Sequence, residues 1–414
     1  MKKKYEIENI QILDFAAEGK CIAKNDGEVI FVDGSKVVPG DEVQLLVSKS
    51  KKRFSEGRVL RINKFSPDRV EPFCVHFGDC GGCKWQHVPY ETQLAQKERQ
   101  VLDQLSRIGK IALRNTSPIL GSQKQQFYRN KLEFTFSNSR WFTSREVESE
   151  EELDKNALGF HVPKRFDKVL PIQHCYLQGG PSNEVRNFFR EAAVASGKPF
   201  YDHLVHKGFF RTLMIRTTST GELMVLVQFA ENDQEAIHTV LDQFVAKFPQ
   251  VTSLSYVINT KGSDTFFDLE PVYYHGLPYI TEEMEGLKFR IGVKTFYQTN
   301  SGQAYELYKL VREFAKIEKN DLVYDLYTGT GTIANFLARQ AREVVGVEYI
   351  EPAVQDAKIN SEINGIHNTR FFAGDMAKIL NDEFVAANGK PDIVITDPPR
   401  AGMDKAVCEM LRRV

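Results

Sequence analysis

The 414-residue sequence has no hydrophobic run that approaches the ~20 residues that a membrane-spanning helix needs. Its longest strongly apolar stretch, residues 223–230, is interrupted by Gln228. The basic start, MKKKYEIENI, is followed by no apolar segment, so it does not resemble a signal peptide. Six cysteines are too few for a disulfide scaffold in a chain of this length. These absences predict a cytoplasmic protein with reduced thiols and no membrane partner.

The sequence also lacks a dominant sign of charge. Lysine and arginine number 54 and the acidic residues 55, which excludes a histone-like polycation and an acidic disordered chain but leaves room for a local basic patch. With 28 glycines and 16 prolines, collagen-like and low-complexity architectures are excluded as well. Hydrophobic residues make up 42% of the chain, which is enough to bury several cores. The length predicts two to three domains at ~150 residues each.

The N-terminal part alternates short apolar runs with glycine-containing turns, a pattern that predicts a small β-barrel. Examples are EVIFV at 28–32, after an Asp-Gly turn, and DEVQLLV at 41–47, after a Pro-Gly turn. A basic cluster then consists of Lys49, Lys51, Lys52 and Arg53. Two interpretations stay open for this cluster: a solvated turn between strands, or a phosphate-contacting edge of a nucleic-acid-binding barrel.

The rest of the chain divides by pattern into two further parts, which gives predicted domains 1–63, 64–290 and 291–414. The middle part mixes secondary structures, with predicted strands at 132–136, 211–217, 222–229 and 253–259 and predicted helices at 90–108, 182–195 and 234–247. From about residue 301, helices and strands alternate, which predicts a doubly wound parallel α/β sheet. The predicted fold class is therefore multidomain: a β-barrel, an α+β central domain and an α/β domain.

Three cysteines lie within ten residues in the pattern Cys74-x5-Cys80-x2-Cys83. Soft thiolates grouped in a reducing compartment indicate zinc or an iron–sulfur cluster, and either needs a fourth ligand. Cys175, in PIQHCYL, is the best distant candidate because it lies between a strand end and a glycine turn. Three histidines, His76, His87 and His174, keep a zinc site open. The residue types alone leave a cluster, a zinc site and no metal as alternatives.

A glycine loop, DLYTGTGT at 325–332, follows an apolar strand and opens a helix. It matches G-x-G-x-x-G/A through Gly329, Gly331 and Ala334, and Glu348 ends the next strand. Such glycines let the backbone approach an adenine-containing cofactor, while the acidic residue accepts the ribose hydroxyls. NAD and S-adenosylmethionine (SAM) sites share this pattern, so the loop does not distinguish them.

A second motif, Asp397-Pro398-Pro399-Arg400, follows the strand PDIVIT, where ligands of open α/β sheets bind. Two prolines stiffen the chain into an extended bend that can hold a planar base edge-on. The alternative is an ordinary strand-ending turn. Asp375 ends the preceding strand and is placed either to reach the adenine or to cap the next helix.

Together these pieces resemble the bacterial 23S rRNA uracil-C5 methyltransferases, relatives of the tRNA 5-methyluridine enzymes, over nearly the whole chain. The matching segments are DFAAEGKCIAKNDGEVIFVDGSKVVPGDEVQ, similar to an RNA-binding TRAM barrel; CVHFGDCGGCKWQHVPYETQLAQK and PIQHCYL, similar to a [4Fe–4S] region; YRNKLEF, similar to the start of the RNA-binding central domain; and FYQTN, DLYTGTGT, GVE and DPPRAGMD, similar to the SAM-domain motifs.

The resemblance implies an iron–sulfur segment at 72–88 and a SAM pocket. The implied cluster ligands are Cys74, Cys80, Cys83 and Cys175, and the implied cofactor-binding residues are Gln298, Tyr327, Thr332, Glu348, Asp375 and Asp397. The implied activity is methylation of uracil C5 in 23S rRNA by a monomeric enzyme, through a covalent cysteine–C6 adduct. Candidates for phosphate contact are Lys51, Lys52 and Arg53 of the barrel and also Arg129, Lys131 and Arg211. Phe209 and Phe210 are candidates for stacking, although core packing is expected for at least one of them.

Other functions stay open. The target could be uracil C5 in tRNA or another RNA base, although an amino-group methyltransferase normally has an aromatic residue where this chain has Arg400. A radical-SAM enzyme needs C-x3-C-x2-C rather than the spacing found. From a different class, the chain could be a non-catalytic RNA-binding protein with a relic SAM fold.

One departure from the family pattern concerns the catalytic residues. The chemistry needs a thiolate that attacks uracil C6 and a base that removes the C5 proton. In the family a Ser-Cys-Asn-Pro type segment and a later glutamate supply them, so both are expected after Val414. Cys408 lies in a helical stretch and is expected to be a buried, small apolar residue. We therefore expect no catalytic residue within this chain, an incomplete domain, and a fourth strand left as an apolar edge.

Overall fold

The computed structural model describes residues 4–34, 36–51, 53–148 and 153–413, with the side chains of Ser144 and Arg145 left out. These residues form two compact units. Unit 1 comprises residues 1–123 and 137–175, and unit 2 comprises residues 124–136 and 176–414. The domain boundaries expected after residues 63 and 290 stay predictions.

The strands, in chain order, are β1 Tyr5–Phe15, β2 Cys21–Asn25, β3 Glu28–Val32, β4 Glu42–Ser50, β5 Ser55–Lys64, β6 Lys131–Ser137, β7 Ala157–Val162, β8 Arg165–Pro171, β9 Phe210–Thr217, β10 Leu223–Phe229, β11 Ser253–Ile258, β12 Val272–Gly276, β13 Tyr279–Met284, β14 Leu287–Gly292, β15 Leu322–Leu326, β16 Glu343–Glu348, β17 Thr369–Ala373 and β18 Ile393–Thr396. The α-helices are α1 Tyr90–Asp103, α2 Ser144–Val147, α3 Ser182–Ala195, α4 Gln234–Lys247, α5 Ser301–Ala315, α6 Thr332–Ala338, α7 Glu351–Ile363, α8 Met376–Ile379, α9 Asp382–Asn388 and α10 Lys405–Leu411.

Five strands of unit 1 form a closed barrel in the order β1-β2-β3-β5-β4. Along β4 buried and partly exposed residues alternate, as expected for a strand with one face on a core. Asp41 is fully buried and accepts hydrogen bonds from the backbone N–H groups of Val38 and Ser66, both at 2.8 Å. Its carboxylate also pairs with Arg69 at 2.7 Å, which satisfies the buried charge. The predicted barrel is confirmed.

Of the basic cluster, Lys49 lies near the end of β4, and Lys51 and Arg53 lie between β4 and β5. The backbone N–H of Lys51 donates to the Phe54 carbonyl at 2.8 Å, and the Lys51 ammonium lies 4.8 Å from the Phe54 ring centroid. Glu56 is 3.6 Å from Lys49 and 3.9 Å from Lys51, so it offsets part of the positive charge. Lys52 lies outside the described residues. A turn position is compatible with either of the two interpretations.

In unit 2 a central sheet has the order β12-β11-β10-β9-β6, with β10 parallel to β11 and the other pairs antiparallel. All residues of β10 are buried, as its apolar sequence predicts, and the one polar residue, Gln228, is buried with them. Aromatic side chains of α3 and α4 pack against each other, with 4.9 Å between the ring centroids of Phe189 and Phe244. Both helices have the bounds that the sequence predicts.

Three residues of this sheet region were candidates for RNA contact, with core packing expected for at least one of Phe209 and Phe210, and the structure places all three in the core. Phe209, Phe210 and Arg211 are each 0% exposed. The Arg211 guanidinium donates to the Asp264 carboxylate at 2.9 Å and to the Asn259 carbonyl at 2.7 Å. Both faces of β9 are covered, because seven of its eight residues are buried, and nothing in the local sequence shows this.

The C-terminal sheet is parallel throughout and has the order β17-β16-β15-β18. Neighbouring residues of β15 face different cores: Val323 packs with residues of α5, α6 and α7, whereas Tyr324 packs with residues of α8, α9 and α10. Helices thus cover both faces, and the predicted doubly wound α/β fold is confirmed. Within the described residues β18 lies at the sheet edge, and its four residues are half-buried.

None of the described helices combines the length and the apolar composition that crossing a bilayer requires.

Candidate functional site

The carboxyl ends of the four parallel strands bring polar side chains to one edge of the sheet, which we call the carboxyl edge. It consists of the loop 325–331 after β15, Glu348 at the end of β16, Asp375 after β17 and Asp397 after β18. Parallel strands end at a common edge, so the register alone makes these side chains neighbours. Backbone hydrogen bonds confirm the proximity, since the N–H of Tyr327 donates to the Val347 carbonyl at 2.9 Å.

The two glycines of the loop have different surroundings. Gly331 has φ 71°, and a Cβ atom there would lie 2.8 Å from the Cβ of Ala357, so α7 packs directly against the backbone. Gly329 has φ 56°, but a Cβ atom there would meet nothing within 4 Å. Gly331 therefore serves packing, whereas Gly329 borders open space at the carboxyl edge. The open space beside Gly329 leaves room for a ligand against the backbone.

Tyr327 lies between the strand and these glycines in the left-handed region, with φ 66°. A non-glycine residue there is strained, and such strain clusters at binding sites. Burial raises the pKa of the Tyr327 hydroxyl, and the nearby Cys408, Asp404 and Asp375 raise it further. Tyr327 and Asp375, both expected in the cofactor pocket, are therefore close in space.

Glu348 uses both carboxylate oxygens to hold the backbone. One oxygen accepts the N–H of Gly329 at 3.0 Å, and the other accepts the N–H of Ile350 at 3.0 Å. A carboxylate oxygen has two lone pairs, so each can accept one further hydrogen bond. Half-buried beside the open Gly329, Glu348 is placed to accept two hydroxyl donors of a ligand while it fixes the loop.

Gln298 precedes α5, far from the strands in sequence, and its side-chain amide lies 3.4 Å from the Asp397 carboxylate. Tyr308 of α5 is buried, and burial raises the pKa of its hydroxyl, with further contributions from the charges of Asp397 and Asp325 and an opposing hydrogen bond with Gln298. The structure therefore groups Gln298, Tyr308, Asp325 and Asp397 at the carboxyl edge.

The two remaining predicted cofactor residues have local roles in the described structure. The Thr332 hydroxyl lies 3.3 Å from that of Thr330, at the first turn of α6. Asp375 accepts the N–H of Ala377 at 3.1 Å and so caps α8, which was the alternative for this residue. Its second oxygen lies 3.6 Å from the Lys378 ammonium at the surface.

Asp325 is a residue of this site that the sequence did not single out. Its side chain is 0% exposed, one carboxylate oxygen accepts the Thr328 hydroxyl at 2.6 Å, and the other has no hydrogen-bond partner among the described residues. Burial raises the pKa of Asp325 to about 7, and the charges of Asp397 and Glu348 add to the increase. Its only sequence signal is the first position of the glycine-loop motif.

Cys408 is exposed on α10, so the expectation of a buried apolar residue was wrong. The buried side chains of this helix are Val407 and Met410. Their three-residue spacing defines the face that packs on the sheet, and the position next to Val407 points away from that face.

A second candidate site is the cysteine segment of unit 1. Cys175 is buried, and Cys74, Cys80 and Cys83 are half-buried, with none of them in a disulfide. Burial raises the pKa of the Cys80 thiol to about 12, and Cys83, Cys175 and Cys74 contribute to the increase, so all four sulfurs belong to one neighbourhood. A Cβ atom on Gly81 would lie 2.5 Å from the His161 carbonyl oxygen, which explains why a glycine fills the gap between two cysteines.

Histidine contacts hold this segment in place. The backbone N–H of Gln173 donates to His76 Nε2 at 3.0 Å, which ties the first three cysteines to the chain just before Cys175. His87 is fully buried, and its Nε2 lies 3.1 Å from the Val37 carbonyl. Both Nε2 atoms thus have structural partners, so neither is free to bind a metal.

The sulfur spacing bears on which metal the donor set fits. Tetrahedral zinc with Zn–S bonds of ~2.3 Å brings its sulfurs to ~3.8 Å from one another. Within the described residues, no three of the cysteine sulfurs lie within 4.8 Å of one another. A cubane cluster needs wider spacing, because each sulfur binds a different iron. No three of the described cysteine sulfurs are thus as close together as those of a closed tetrahedral zinc site.

Comparisons with known proteins match both ends of the chain. A family model described as tRNA (Uracil-5-)-methyltransferase matches residues 279–414, and a TRAM domain model matches residues 2–60. A protein of Porphyromonas gingivalis, named an uncharacterized RNA methyltransferase, is 53% identical over 411 residues, which cover 97% of this chain and 87% of the relative. A protein of Bacteroides thetaiotaomicron with the same name is 52% identical over 400 residues, covering 96% and 88%.

A solved structure is similar over nearly the whole chain. The tRNA (uracil-54, C5)-methyltransferase of Pyrococcus abyssi, in complex with S-adenosyl-L-homocysteine, has a TM-score of 0.73 and 25% sequence identity. The match covers 98% of this chain and 87% of that protein.

The buried Asp325 predicts a pH-dependent stability. Its pKa is raised from 3.8 to about 7, so the folded protein keeps this proton to a higher pH than the unfolded chain does. The stability that Asp325 contributes therefore falls as pH rises from about 4 to about 7. We expect Asp325→Asn to lose less thermal stability than the wild type between about pH 5 and pH 8.

Asp392→Asn is the control, because it removes an exposed carboxylate at the opposite end of the same sheet. It should keep the wild-type dependence of melting temperature on pH. Parallel pH profiles for Asp325→Asn and the wild type would show that Asp325 is ionised throughout this range.

Proposed function

Because the chain belongs to the family of RNA methyltransferases with a TRAM domain and a uracil-5-methyltransferase domain, we propose that it methylates C5 of a uridine in 23S rRNA. It is a SAM-dependent enzyme of RNA, so family membership sets aside the alternative of a non-catalytic RNA-binding protein. The observation that supports the proposal most is the juxtaposition of Gln298 and Asp397 with the glycine loop at the carboxyl edge.

We propose that the carboxyl edge binds SAM through Gln298, Tyr327, Thr332, Glu348, Asp375 and Asp397. The site fits the cofactor in two respects: Gly329 borders open space, and three carboxylates, those of Asp325, Glu348 and Asp397, surround the pocket. Negative charge stabilises a cation in a partly desolvated site, and SAM is a sulfonium cation that supplies an electrophilic methyl group.

Uracil C5 is a weak nucleophile, so the proposed reaction needs activation of the base. A thiolate adds to C6, the C5 carbon then takes the methyl group, a base removes the C5 proton, and the thiolate leaves to restore the double bond. Cys21 is unsuited to this role, since it is 0% exposed and burial raises its pKa to about 12. We assign the nucleophile and the base to no described residue.

RNA must reach the carboxyl edge with the target uridine unstacked, which costs a few kcal/mol that protein contacts must offset. We propose that Arg129 and Lys131, at the start of β6, contact RNA phosphates. Both are half-buried; the Arg129 Nε has no hydrogen-bond partner among the described residues, and the Lys131 ammonium is paired with Glu133 at 2.6 Å. At the barrel, Lys51 and Arg53 are exposed and form a second proposed contact.

A uridine of tRNA is the second candidate substrate. It is favoured by one observation, the likeness to the Pyrococcus abyssi protein, which is named a tRNA (uracil-54, C5)-methyltransferase. Nothing in the carboxyl edge distinguishes the two RNAs, because both present the same base.

We also propose that Cys74, Cys80, Cys83 and Cys175 hold a [4Fe–4S] cluster, which would join segment 72–88 to the chain at Cys175. Support comes from the influence of Cys74, Cys83 and Cys175 on the Cys80 thiol, which places the four cysteines in one neighbourhood. Four protein ligands leave no iron open, so we propose a structural role.

The proposed activity predicts a specific product. Full-length protein expressed from the native gene should transfer labelled methyl groups from SAM to 23S rRNA from a strain that lacks the gene, and mass spectrometry should locate 5-methyluridine in it. Total tRNA from the same deletion strain is assayed in parallel as the alternative substrate. Methylation of tRNA alone would replace the proposed substrate by the second candidate, and methylation of neither RNA would overturn the proposal.

The role of Glu348 predicts weaker SAM binding when its charge is removed. In Glu348→Ala, two charge-assisted hydrogen bonds worth ~1.5–3 kcal/mol each are lost, so SAM should bind at least ~10-fold more weakly by calorimetry. Glu343→Ala, at the opposite end of β16, is the control and should bind SAM like the wild type. Equal affinities for Glu348→Ala and the wild type would show that Glu348 only holds the loop.

The cluster proposal predicts iron content. Protein purified without oxygen should be brown and contain about four irons per chain. Cys175→Ser should lower the iron content and the absorbance near ~400 nm, whereas Cys408→Ser, the control, should change neither. Stoichiometric zinc in the wild-type protein would contradict the cluster.

A further inference from the structure

The segment around Gln298, residues 297–301, reaches the carboxyl edge without regular secondary structure until α5 begins at Ser301. A loop of this kind has no ladder of backbone hydrogen bonds to fix it. Its position must therefore come from contacts with other elements.

Three of those contacts come from one residue beside the central sheet. The side-chain amide of Asn130, just before β6, donates to the Gln298 carbonyl at 2.9 Å and to the Ser301 hydroxyl at 2.7 Å. Its backbone N–H donates to the Thr299 carbonyl at 2.8 Å, and its own carbonyl accepts the N–H of Thr217 at 2.9 Å. Asn130 thus grips three residues of the loop while it is itself held by the sheet.

A buried carboxylate also contacts this segment, through Ser301. Glu282 of β13 is 1% exposed and accepts the Ser301 hydroxyl at 2.9 Å. Its other oxygen accepts the backbone N–H of Ser219 at 2.9 Å and the Ser219 hydroxyl. Because the Ser301 hydroxyl donates its proton to Glu282, the lone pairs of the Ser301 oxygen accept the hydrogen bond from Asn130. The hydrogen bonds therefore run in one direction, from Asn130 through Ser301 to Glu282.

The Gln298 side chain has two partners. Its amide lies 3.4 Å from the Asp397 carboxylate, at the weak end for an N–H···O hydrogen bond, and it also makes a hydrogen bond with the buried Tyr308 hydroxyl. The bonds that Asn130 makes to this segment are shorter than the Asp397 contact by about half an ångström or more, so Asn130 holds the backbone from which the Gln298 amide extends.

We propose that Asn130 is a positioning residue for the cofactor pocket: it holds the Gln298 segment, with Glu282 behind it through Ser301, so that the Gln298 amide meets Asp397 and the cofactor. The inference rests on the proposed SAM site. It makes the central sheet, rather than the α/β domain alone, responsible for the geometry of the pocket, and it places the proposed RNA contacts Arg129 and Lys131 next to the residue that sets it.

The substitution Asn130→Asp tests this with little change in size. It replaces the two N–H donors by a carboxylate oxygen that faces the Gln298 carbonyl and the Ser301 hydroxyl. Ser301→Ala is a milder second variant, because it removes the hydroxyl that links Asn130 to Glu282 but leaves the Asn130 bonds to Gln298 and Thr299 in place. We expect SAM affinity, measured by calorimetry without RNA, to fall at least about fivefold in Asn130→Asp and less in Ser301→Ala.

Asn368→Asp is the matched control. Asn368 also uses its side-chain amide to hold a loop, donating to the carbonyls of Ala338 at 2.7 Å and Ala341 at 3.1 Å, but it lies at the opposite end of β17. It should cost a similar amount of thermal stability and leave SAM affinity unchanged.

A double-mutant cycle separates positioning from a general structural effect. If Asn130 acts through Gln298, Asn130→Asp should not weaken SAM binding further in a Gln298→Ala background. Independent, multiplying losses in the double variant, or wild-type affinity in Asn130→Asp, would overturn the inference. The proposed function fails separately, in that the wild-type protein would then not bind SAM at all.

Discussion

The parallel pairing of β15 with β16 and β18 is the constraint on which the candidate site depends. The register sets Val323 opposite Val344 on one side and Ile393 on the other, so the three strands end together. That arrangement places the carboxylates of Asp325, Glu348 and Asp397 at one edge. Burial and the charges of Asp397 and Glu348 raise the pKa of Asp325, which is a cost unless a cation binds there. A sulfonium cofactor is the kind of ligand that such an edge favours.

The pocket nevertheless uses residues from outside this sheet. Gln298 comes from the chain before α5, and Asn130, at the edge of the central sheet, holds its backbone. A doubly wound fold supplies the glycine loop and the acidic residues on its own, as such folds do for many ligands. The position of Gln298, which faces Asp397, depends on how the central sheet of unit 2 contacts the segment before α5. The acidic groups of the carboxyl edge therefore come from the α/β sheet, whereas the position of the Gln298 amide comes from the central sheet.

Local sequence pattern predicted the elements well where burial on one face repeats regularly. The helices 182–195 and 234–247 appear with those bounds, and β15 to β18 follow the predicted alternation. The same approach failed for single side chains. Phe209, Phe210 and Arg211 were candidates for RNA contact and are all buried, and α1 lies within the predicted helix 90–108 but buries none of its residues. Whether a face of a helix or strand is buried depends on which other elements pack against it, and the local sequence pattern does not specify those elements.

The sequence by itself determined the features that neighbouring residues can encode. These are the glycine loop with its acidic partner, the spacing of Cys74, Cys80 and Cys83, the stiff Asp-Pro-Pro bend and the alternation that makes a parallel sheet. Tertiary structure decided the rest. Asn130 meets Gln298 across 168 residues of chain, and Asp325 acquires its raised pKa from burial and from charges on other strands. Contacts over such separations depend on chain topology and packing, which local periodicity does not specify, and so the precise placement of the pocket could come only from the folded molecule.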